Sequence, residues 1–245
     1  MSLRLVAGMG RFRPGSYGDR GRAIHRLRRW SLRLWLCVLL VPFLTLTGAV
    51  ADARAEPIRI VAFGDSLVAG YELPAGETFP ARLQRALQAK GIAAEVENAG
   101  VSGDTASAGL ARLDWSIPDG TDAVIVELGA NDMLRGVDPD ITRKALDEIL
   151  QNLKSRNIPV LLAGMRAAPN LGADYVRRFE TIYDELAKKH DVIFYPFFLD
   201  GIAANPKLAL RDGLHPNAAG VDVIVQGILP KVEELIAKAS AKRNG

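Results

Sequence analysis

Short, almost uninterrupted apolar runs alternate with amphipathic segments along most of this chain. The candidates for buried strands are residues 58–63, 94–98, 122–128, 159–164 and 191–195. Runs that are apolar at nearly every position, rather than at every second one, are typical of parallel strands covered on both faces. Strands that alternate with helices in this way predict a three-layer α/β domain built on a parallel sheet.

The amphipathic segments predict helices between the strands. Residues 139–156 carry an apolar stripe at helical spacing, and Asp138 stands at the N-cap position. A second helix is predicted over 173–189. The last helix is predicted to open at Pro216 and to kink at Pro230, because an internal proline removes a backbone hydrogen bond.

Residues 1–55 have the layout of a secretory signal peptide. An arginine-rich stretch poor in acids precedes the apolar segment 34–50, and Ala53-Arg54-Ala55 places small residues at −3 and −1 of a cleavage point. We therefore expect cleavage before Glu56, a single mature domain of residues 56–245, and a periplasmic or secreted location without stable membrane insertion. An uncleaved membrane anchor is the alternative, since about 17 apolar residues are at the lower limit for spanning a bilayer.

Removing this leader reverses the sign of the net charge. The whole chain carries +3, but residues 1–55 contain ten Arg and two Asp, which leaves −5 for residues 56–245. The basic character of the full chain therefore gives no support for nucleic-acid binding, and no nucleic-acid partner is expected. Cys37 is the only cysteine, so the mature domain can form neither a disulfide nor a thiolate metal site. The oligomeric state is left open.

Four polar motifs stand at the ends of predicted strands or just before the last helix. They are Gly64-Asp65-Ser66-Leu67, Asn98-Ala99-Gly100-Val101-Ser102-Gly103, Gly129-Ala130-Asn131-Asp132 and Asp212-Gly213-Leu214-His215-Pro216. Ligands of open parallel sheets bind beyond the carboxyl ends of the strands. The motifs are therefore predicted to form one site, although each alone is also an ordinary turn sequence.

A serine hydroxyl is a weak nucleophile until a base accepts its proton. The mature domain contains two histidines, and the solvated position expected for His190 at a helix C-terminus leaves His215 as the candidate base. Asp212 precedes His215 by three residues, so its carboxylate can bind Nδ1 and leave Nε2 for Ser66. The residues predict a Ser66–His215–Asp212 triad that needs neither a metal nor another cofactor.

Acyl transfer also needs donors aimed at the developing oxyanion. The backbone N–H of Ser66 at a helix start, a backbone N–H at Gly103 and the side-chain amide of Asn131 are the candidates. Glycine at 103 would let the backbone approach a substrate closely, because it has no Cβ. A simple turn role for Gly103 or Asn131 is the alternative in each case.

The four motifs, in this order and spacing, resemble the sequence blocks of the SGNH (GDSL) hydrolase superfamily. Residues 127–136 resemble its periplasmic arylesterase and acyl-thioesterase/lysophospholipase group, and the resemblance covers 58–238. It implies a flavodoxin-like SGNH hydrolase fold with a five-stranded parallel sheet over residues 56–245. It also implies the triad and oxyanion roles above, with one departure, Ala130, where many relatives have glycine.

The resemblance further implies which loops border an acyl groove, although each apolar residue there could equally belong to the core. The candidate substrate-binding residues are Met133, Leu134, Met165, Pro169 and Tyr175. The expected partner is a small acyl ester, namely a short- to medium-chain carboxylic ester such as an aryl ester, a thioester or a lysophospholipid. Neither the chain length nor the leaving group follows from the residues.

Three alternative functions would use the same residues or the same fold. A carbohydrate O-deacetylase would share the site, and a domain that only binds acyl chains would share the fold. A metal-dependent phosphoesterase would instead gather acids around a divalent cation. Its candidate ligands are Asp65, Asp104, Asp132, Asp212 and His215.

A catalytic His215 makes a prediction about pH. Esterase activity should fall as the pH drops through the range in which histidine is protonated, about pH 6–7, because the protonated ring cannot accept the serine proton. The measurement is kcat/KM for a soluble ester between about pH 5 and 8. A flat profile over that range would contradict the role of His215.

Overall fold

The computed structural model describes residues 56–244, so the predicted leader lies outside the described residues. A single sheet of five parallel strands runs through this part of the chain in the order β2-β1-β3-β4-β5. The strands are β1 Ile58–Gly64, β2 Ala94–Gly100, β3 Ala123–Glu127, β4 Val160–Ala163 and β5 Ile193–Tyr195. This strand order is that of flavodoxin-like folds, and it confirms the predicted α/β architecture.

Helices cover both faces of the sheet. They are α1 Ser66–Ala69, α2 Phe79–Ala89, α3 Ala106–Ser116, α4 Ala130–Leu134, α5 Pro139–Ser155, α6 Ala173–His190 and α7 Ala218–Arg243, with short 3₁₀ turns at Ala75–Glu77 and Pro169–Leu171. Helix α2 packs against α7, while α3, α5 and α6 pack side by side, which completes three layers. No helix among residues 56–244 has the length and apolar character needed to cross a membrane.

The hydrophobic core lies on both faces of the central strands. Every residue of β3 and β4 is buried, as is every residue of β1 except Arg59. Strand β2 is at the edge of the sheet and is largely exposed beyond Ala94, which explains its mixed sequence. The continuous apolar runs therefore mark the interior strands, as parallel pairing requires.

The last helix begins two residues later than predicted. Asn217 caps α7 by accepting a hydrogen bond from the backbone N–H of Gly220, at 3.0 Å, and Pro216 instead pairs with Ala209 in an isolated bridge. Pro230 lies inside a helix that continues from Ala218 to Arg243. The cap rather than the proline thus determines where this helix starts.

The expectation that His190 is solvated was wrong. His190 ends α6, is only 5 % exposed, and its Nε2 lies 2.6 Å from Asp147 Oδ1 on α5. Asp147 also accepts a hydrogen bond from Lys189, at 2.7 Å. The packing of α5 against α6 buries this ring, and the local sequence around His190 contains no sign of that contact.

A buried arginine on α3 holds together the ends of two strands. Arg112 donates from Nη2 to the Gly64 carbonyl at 2.8 Å and from Nη1 to the Ala99 carbonyl at 2.9 Å. Its Nε donates to Asp104 at 2.6 Å, and the guanidinium lies 4.2 Å from the centroid of the Phe63 ring. Arg112 therefore fixes the carboxyl ends of β1 and β2 relative to each other.

Replacing Arg112 by methionine should destabilise the fold substantially. Loss of the guanidinium leaves Asp104 without this donor and removes the hydrogen bonds to the Gly64 and Ala99 carbonyls, and breaking a buried ion pair costs about 3–5 kcal/mol. Urea unfolding of wild type and Arg112→Met measures the difference. The matched control is Arg177→Met, an exposed arginine whose loss should change stability by less than about 0.5 kcal/mol. Equal stability of wild type and Arg112→Met would contradict the proposed role of Arg112.

Candidate active site

The first candidate residue, Ser66, opens a short helix directly after β1. Asp65 caps this helix, since its Oδ1 accepts a hydrogen bond from the Leu67 N–H at 3.0 Å. Gly70 ends the helix in the left-handed conformation, with φ of 83°. The serine is thereby held in a tight strand–helix turn at the carboxyl edge of the sheet.

A chain of hydrogen bonds connects Ser66, His215 and Asp212. Ser66 Oγ lies 2.8 Å from His215 Nε2, and His215 Nδ1 lies 2.6 Å from Asp212 Oδ2. With Nδ1–H donating to the carboxylate, Nε2 is left to accept a hydrogen bond from Ser66 Oγ. The ring of Tyr71 lies against the imidazole, with 4.5 Å between ring centroids. The structure thus brings the three predicted triad residues together across 149 positions of sequence.

The carboxylate of Asp212 is held by more than the histidine. Its Oδ1 accepts hydrogen bonds from the backbone N–H groups of Leu214, at 2.9 Å, and His215, at 3.1 Å. Partial desolvation acts to raise the pKa of Asp212, but the hydrogen bonds from His215 and the backbone outweigh it and lower the pKa to about 2. Asp212 is therefore ionised throughout the neutral range.

Gly103 lies in the loop that follows β2, in a conformation that favours glycine. Its φ is +88°, which L-residues with a side chain rarely adopt. Its carbonyl accepts a hydrogen bond from Arg135 Nη2 at 2.7 Å, which links this loop to the end of α4. Sequence reasoning did not identify Arg135, although its position four residues after Asn131 places it close to the same motif.

Asn131 lies in the first turn of α4, after β3, and contacts the serine turn directly. Its Nδ2 donates to Asp65 Oδ2 at 3.0 Å. An amide nitrogen carries two N–H groups, so one can hold Asp65 while the other points to a substrate oxygen. The adjacent Asp132 is fully buried and anchors the region by accepting from the Ala106 N–H at 2.8 Å and from Thr142 Oγ1 at 2.9 Å.

The residues predicted to border an acyl groove fall into two groups. Leu134 and Pro169 are exposed, while Met133 and Tyr175 are partly buried, the latter donating its hydroxyl to the Val137 carbonyl at 2.9 Å. Met165 is only 3 % exposed and belongs to the hydrophobic core. The structure therefore leaves four of the five at or near the surface and packs Met165 inside.

Exposed apolar side chains occur on each loop that carries a candidate residue. Tyr71 follows the serine helix, Val101 is two residues before Gly103, Leu134 ends the asparagine helix and Leu214 precedes the histidine. We name these four residues the apolar rim.

The acids that could have served a metal site are engaged by protein donors. Asp65 binds Leu67 and Asn131, Asp104 binds Arg112, and Asp212 binds His215. Within residues 56–244, no group of three or more acids, histidines or cysteines is placed to hold a metal ion. The geometry therefore favours the triad over the phosphoesterase alternative.

Comparisons with known proteins point to one family of hydrolases. The model of the GDSL-like Lipase/Acylhydrolase family matches residues 62–223. The chain is 37% identical over 209 residues to thioesterase 1/protease 1/lysophospholipase L1 of Escherichia coli K12, which covers 85% of this chain and 94% of that protein. It is 38% identical over 191 residues to an arylesterase of Vibrio mimicus, covering 78% of this chain and 90% of that enzyme.

Among solved structures, the chain is similar to AlinE4, a SGNH-hydrolase family esterase. The two are 49% identical, the match covers 74% of this chain and 98% of AlinE4, and the TM-score is 0.64. The strand order of the sheet, the order of the four motifs along the chain and these similarities all indicate the same family. The chain therefore belongs to the GDSL-like lipase/acylhydrolase family of SGNH hydrolases.

Proposed function

We propose that this protein is a serine esterase that hydrolyses short- to medium-chain carboxylic esters through an acyl-serine intermediate. The observation that carries this proposal is the hydrogen-bonded chain from Ser66 Oγ through His215 to Asp212, with contacts of 2.8 and 2.6 Å. Family membership supports the same activity, since the relatives compared above are named as esterases or thioesterases.

The geometry suggests a two-step reaction. Ser66 Oγ attacks the acyl carbonyl while His215 Nε2 accepts its proton, and the same nitrogen then donates that proton to the departing alcohol, phenol or thiol. Water next attacks the acyl-serine, again losing a proton to Nε2, and the acid leaves as Oγ is protonated. Asp212 stays ionised throughout, holds the tautomer and stabilises the imidazolium.

Three donors are proposed to stabilise the oxyanion. They are the backbone N–H groups of Ser66 and Gly103 and the Nδ2 of Asn131. The left-handed conformation of Gly103 and the contact between Asn131 and Asp65 support this proposal, because both residues are held in place before substrate binds. Donors that are already in position cost no reorganisation at the moment of reaction.

The apolar rim supports an apolar acyl or aryl group in the substrate. A carbohydrate deacetylase would need polar groups for its sugar, whereas each loop that carries a candidate residue here also exposes a large apolar side chain, namely Tyr71, Val101, Leu134 or Leu214. Aryl esters, thioesters and lysophospholipids all combine an acyl carbonyl with apolar surface. We propose that Met133, Leu134, Pro169 and Tyr175 border the bound acyl chain, and that no cofactor takes part.

The arrangement of the leader supports a periplasmic or secreted enzyme. Residues 1–55 precede the domain, and β1 begins at Ile58, only three residues after Ala55 at the proposed cleavage point. Cleavage before Glu56 would therefore remove the leader without cutting into the sheet. Determining the N-terminus of the exported protein tests this proposal, and a chain that begins at Met1 would contradict it.

Removing the nucleophile should abolish activity. Ser66→Ala is expected to lower kcat for p-nitrophenyl butyrate by about 10⁴-fold or more, because only binding and the oxyanion donors would remain. The assay is run with EDTA, and Ser155→Ala, an exposed serine at the end of α5, is the control that should keep wild-type activity. Equal rates in wild type and Ser66→Ala, or loss of wild-type activity with EDTA, would contradict the serine mechanism.

Replacing Asp212 by asparagine tests whether its carboxylate orients His215. Asp212→Asn is expected to lower kcat by about 10³–10⁴-fold at neutral pH, because the amide favours the wrong imidazole tautomer. Since the pKa of Asp212 is lowered to about 2, acidification to about pH 5 leaves it ionised, so a loss of wild-type activity over that range does not come from protonation of Asp212. Asp200→Asn, at an exposed acid outside the triad, is the control. Wild-type kcat in Asp212→Asn would rule out this role.

A further inference from the structure

Two carboxyl groups that the triad does not use lie buried together below the serine turn. Asp65 and Glu127 are both 0 % exposed. Glu127 ends β3 and is paired in register with Gly64 of β1, the residue before Asp65. Neither Glu127 carboxyl oxygen forms a hydrogen bond of ordinary geometry with a described residue. A buried carboxylate without a donor is unfavourable by several kcal/mol, so this arrangement needs a physical explanation.

Glycine at position 64 makes room for this pair. A Cβ at Gly64 would lie 2.9 Å from Glu127 Oε2 and 2.6 Å from the Glu127 carbonyl oxygen, which is closer than real side chains approach. The glutamate side chain thus folds over the backbone of β1 towards the serine turn. There the Glu127 carboxyl group lies next to that of Asp65.

Two hydrogen-bond donors other than Glu127 bind the Asp65 carboxylate. Its Oδ1 accepts from the Leu67 N–H at 3.0 Å, and its Oδ2 accepts from Asn131 Nδ2 at 3.0 Å. A carboxylate can accept about four hydrogen bonds, so a third donor fits without displacing these two. A proton on Glu127 would supply that donor.

The surroundings of the pair favour one shared proton. Burial raises the pKa of Asp65 to about 6, although the hydrogen bonds from Leu67 and Asn131 and the charge of His215 act to lower it. Burial, and then the charge of Asp65, raises the pKa of Glu127 well above its ordinary range. Two carboxylates in one dry site repel, and a single proton between them relieves that repulsion.

Among residues 56–244, the other charged or titratable neighbours of the pair form their contacts with other groups and not with Glu127. Tyr183 on α6 donates its hydroxyl to the Leu128 carbonyl at 2.9 Å, and Asp132 on α4 is an acid engaged with Ala106 and Thr142. Arg112 on α3 donates to the Gly64 carbonyl, at 2.8 Å, rather than to either carboxyl group. The proton is therefore the available means of neutralising Glu127.

We propose that protonated Glu127 is a positioning residue, which donates a hydrogen bond to Asp65 and so holds the Asn131 amide at the oxyanion site. Glu127 touches no substrate atom in this arrangement and acts through Asp65. The inference rests on the proposed esterase function. It gives Glu127, at the end of the strand that leads to Asn131, a role in the reaction that the triad and the oxyanion donors do not include.

Two substitutions at Glu127 distinguish a hydrogen bond donated by its proton from a role in packing alone. Glu127→Met keeps the side-chain length but has no donor, and it should lower kcat by about 10²-fold, the effect of losing one oxyanion donor, with KM within about three-fold. Glu127→Gln keeps an N–H donor at the same place and should restore kcat to within about three-fold of wild type. Thermal unfolding establishes that both variants are folded. Wild-type kcat in Glu127→Met, or equally low kcat in both variants, would overturn the proposal.

A double-mutant cycle tests whether Glu127 acts through Asn131. Asn131→Ala alone should lower kcat by about 10²–10³-fold, and adding Glu127→Met should lower it by less than about three-fold more. A purely structural effect of Glu127 would be additive instead. An equal loss from Glu127→Met in both backgrounds would therefore overturn the proposal.

An infrared measurement tests the proton without reference to activity. Wild type at neutral pH should show the carbonyl stretch of a buried protonated carboxylic acid, and Glu127→Gln should remove that band. Its absence from wild type would overturn the inference, whether or not Glu127→Met folds. If wild type failed to hydrolyse any ester, the proposed function would fall, while the infrared result would still report on the proton between Glu127 and Asp65.

Discussion

The pairing of β1 with a parallel strand on each side is the contact on which the candidate site depends. In that register Gly64 lies opposite Gly100 of β2 and Glu127 of β3, so three strands end at one level. The loops that carry Ser66, Gly103 and Asn131 therefore start from adjacent points of one edge. A parallel sheet places its carboxyl ends together in this way, and ligands bind there for that reason.

The close approach of these loops requires residues without a side chain at two strand ends. A Cβ at Gly100 would lie 2.2 Å from the backbone nitrogen of Ala69, so glycine there lets the serine helix pack against β2. Gly64 has the same function towards Glu127. Arg112 then fastens both ends from α3, with its hydrogen bonds to the Gly64 and Ala99 carbonyls. Small residues and one buried cation together hold the turn that carries Ser66 in place.

The environment assigns different tasks to chemically similar acids. Asp212, at the surface, is held by His215 and two backbone N–H groups, and its pKa is lowered to about 2. Asp65 and Glu127 are fully buried, and burial raises the pKa of both. Acids whose pKa values are moved in opposite directions within one site serve different roles. In the proposed mechanism Asp212 orients the base, and Asp65 and Glu127 orient an oxyanion donor.

The sequence by itself determined the α/β class, the five strand positions to within about two residues, and the motifs that meet at the site. These features are local, because apolar runs, turn residues and the Asp212–His215 spacing are each visible within a few positions. Tertiary structure alone decided the contact between His190 and Asp147, the burial of Met165 and the meeting of Asp65 with Glu127. These depend on strand register and on how helices pack, which join residues tens of positions apart and leave no periodic signal in the chain.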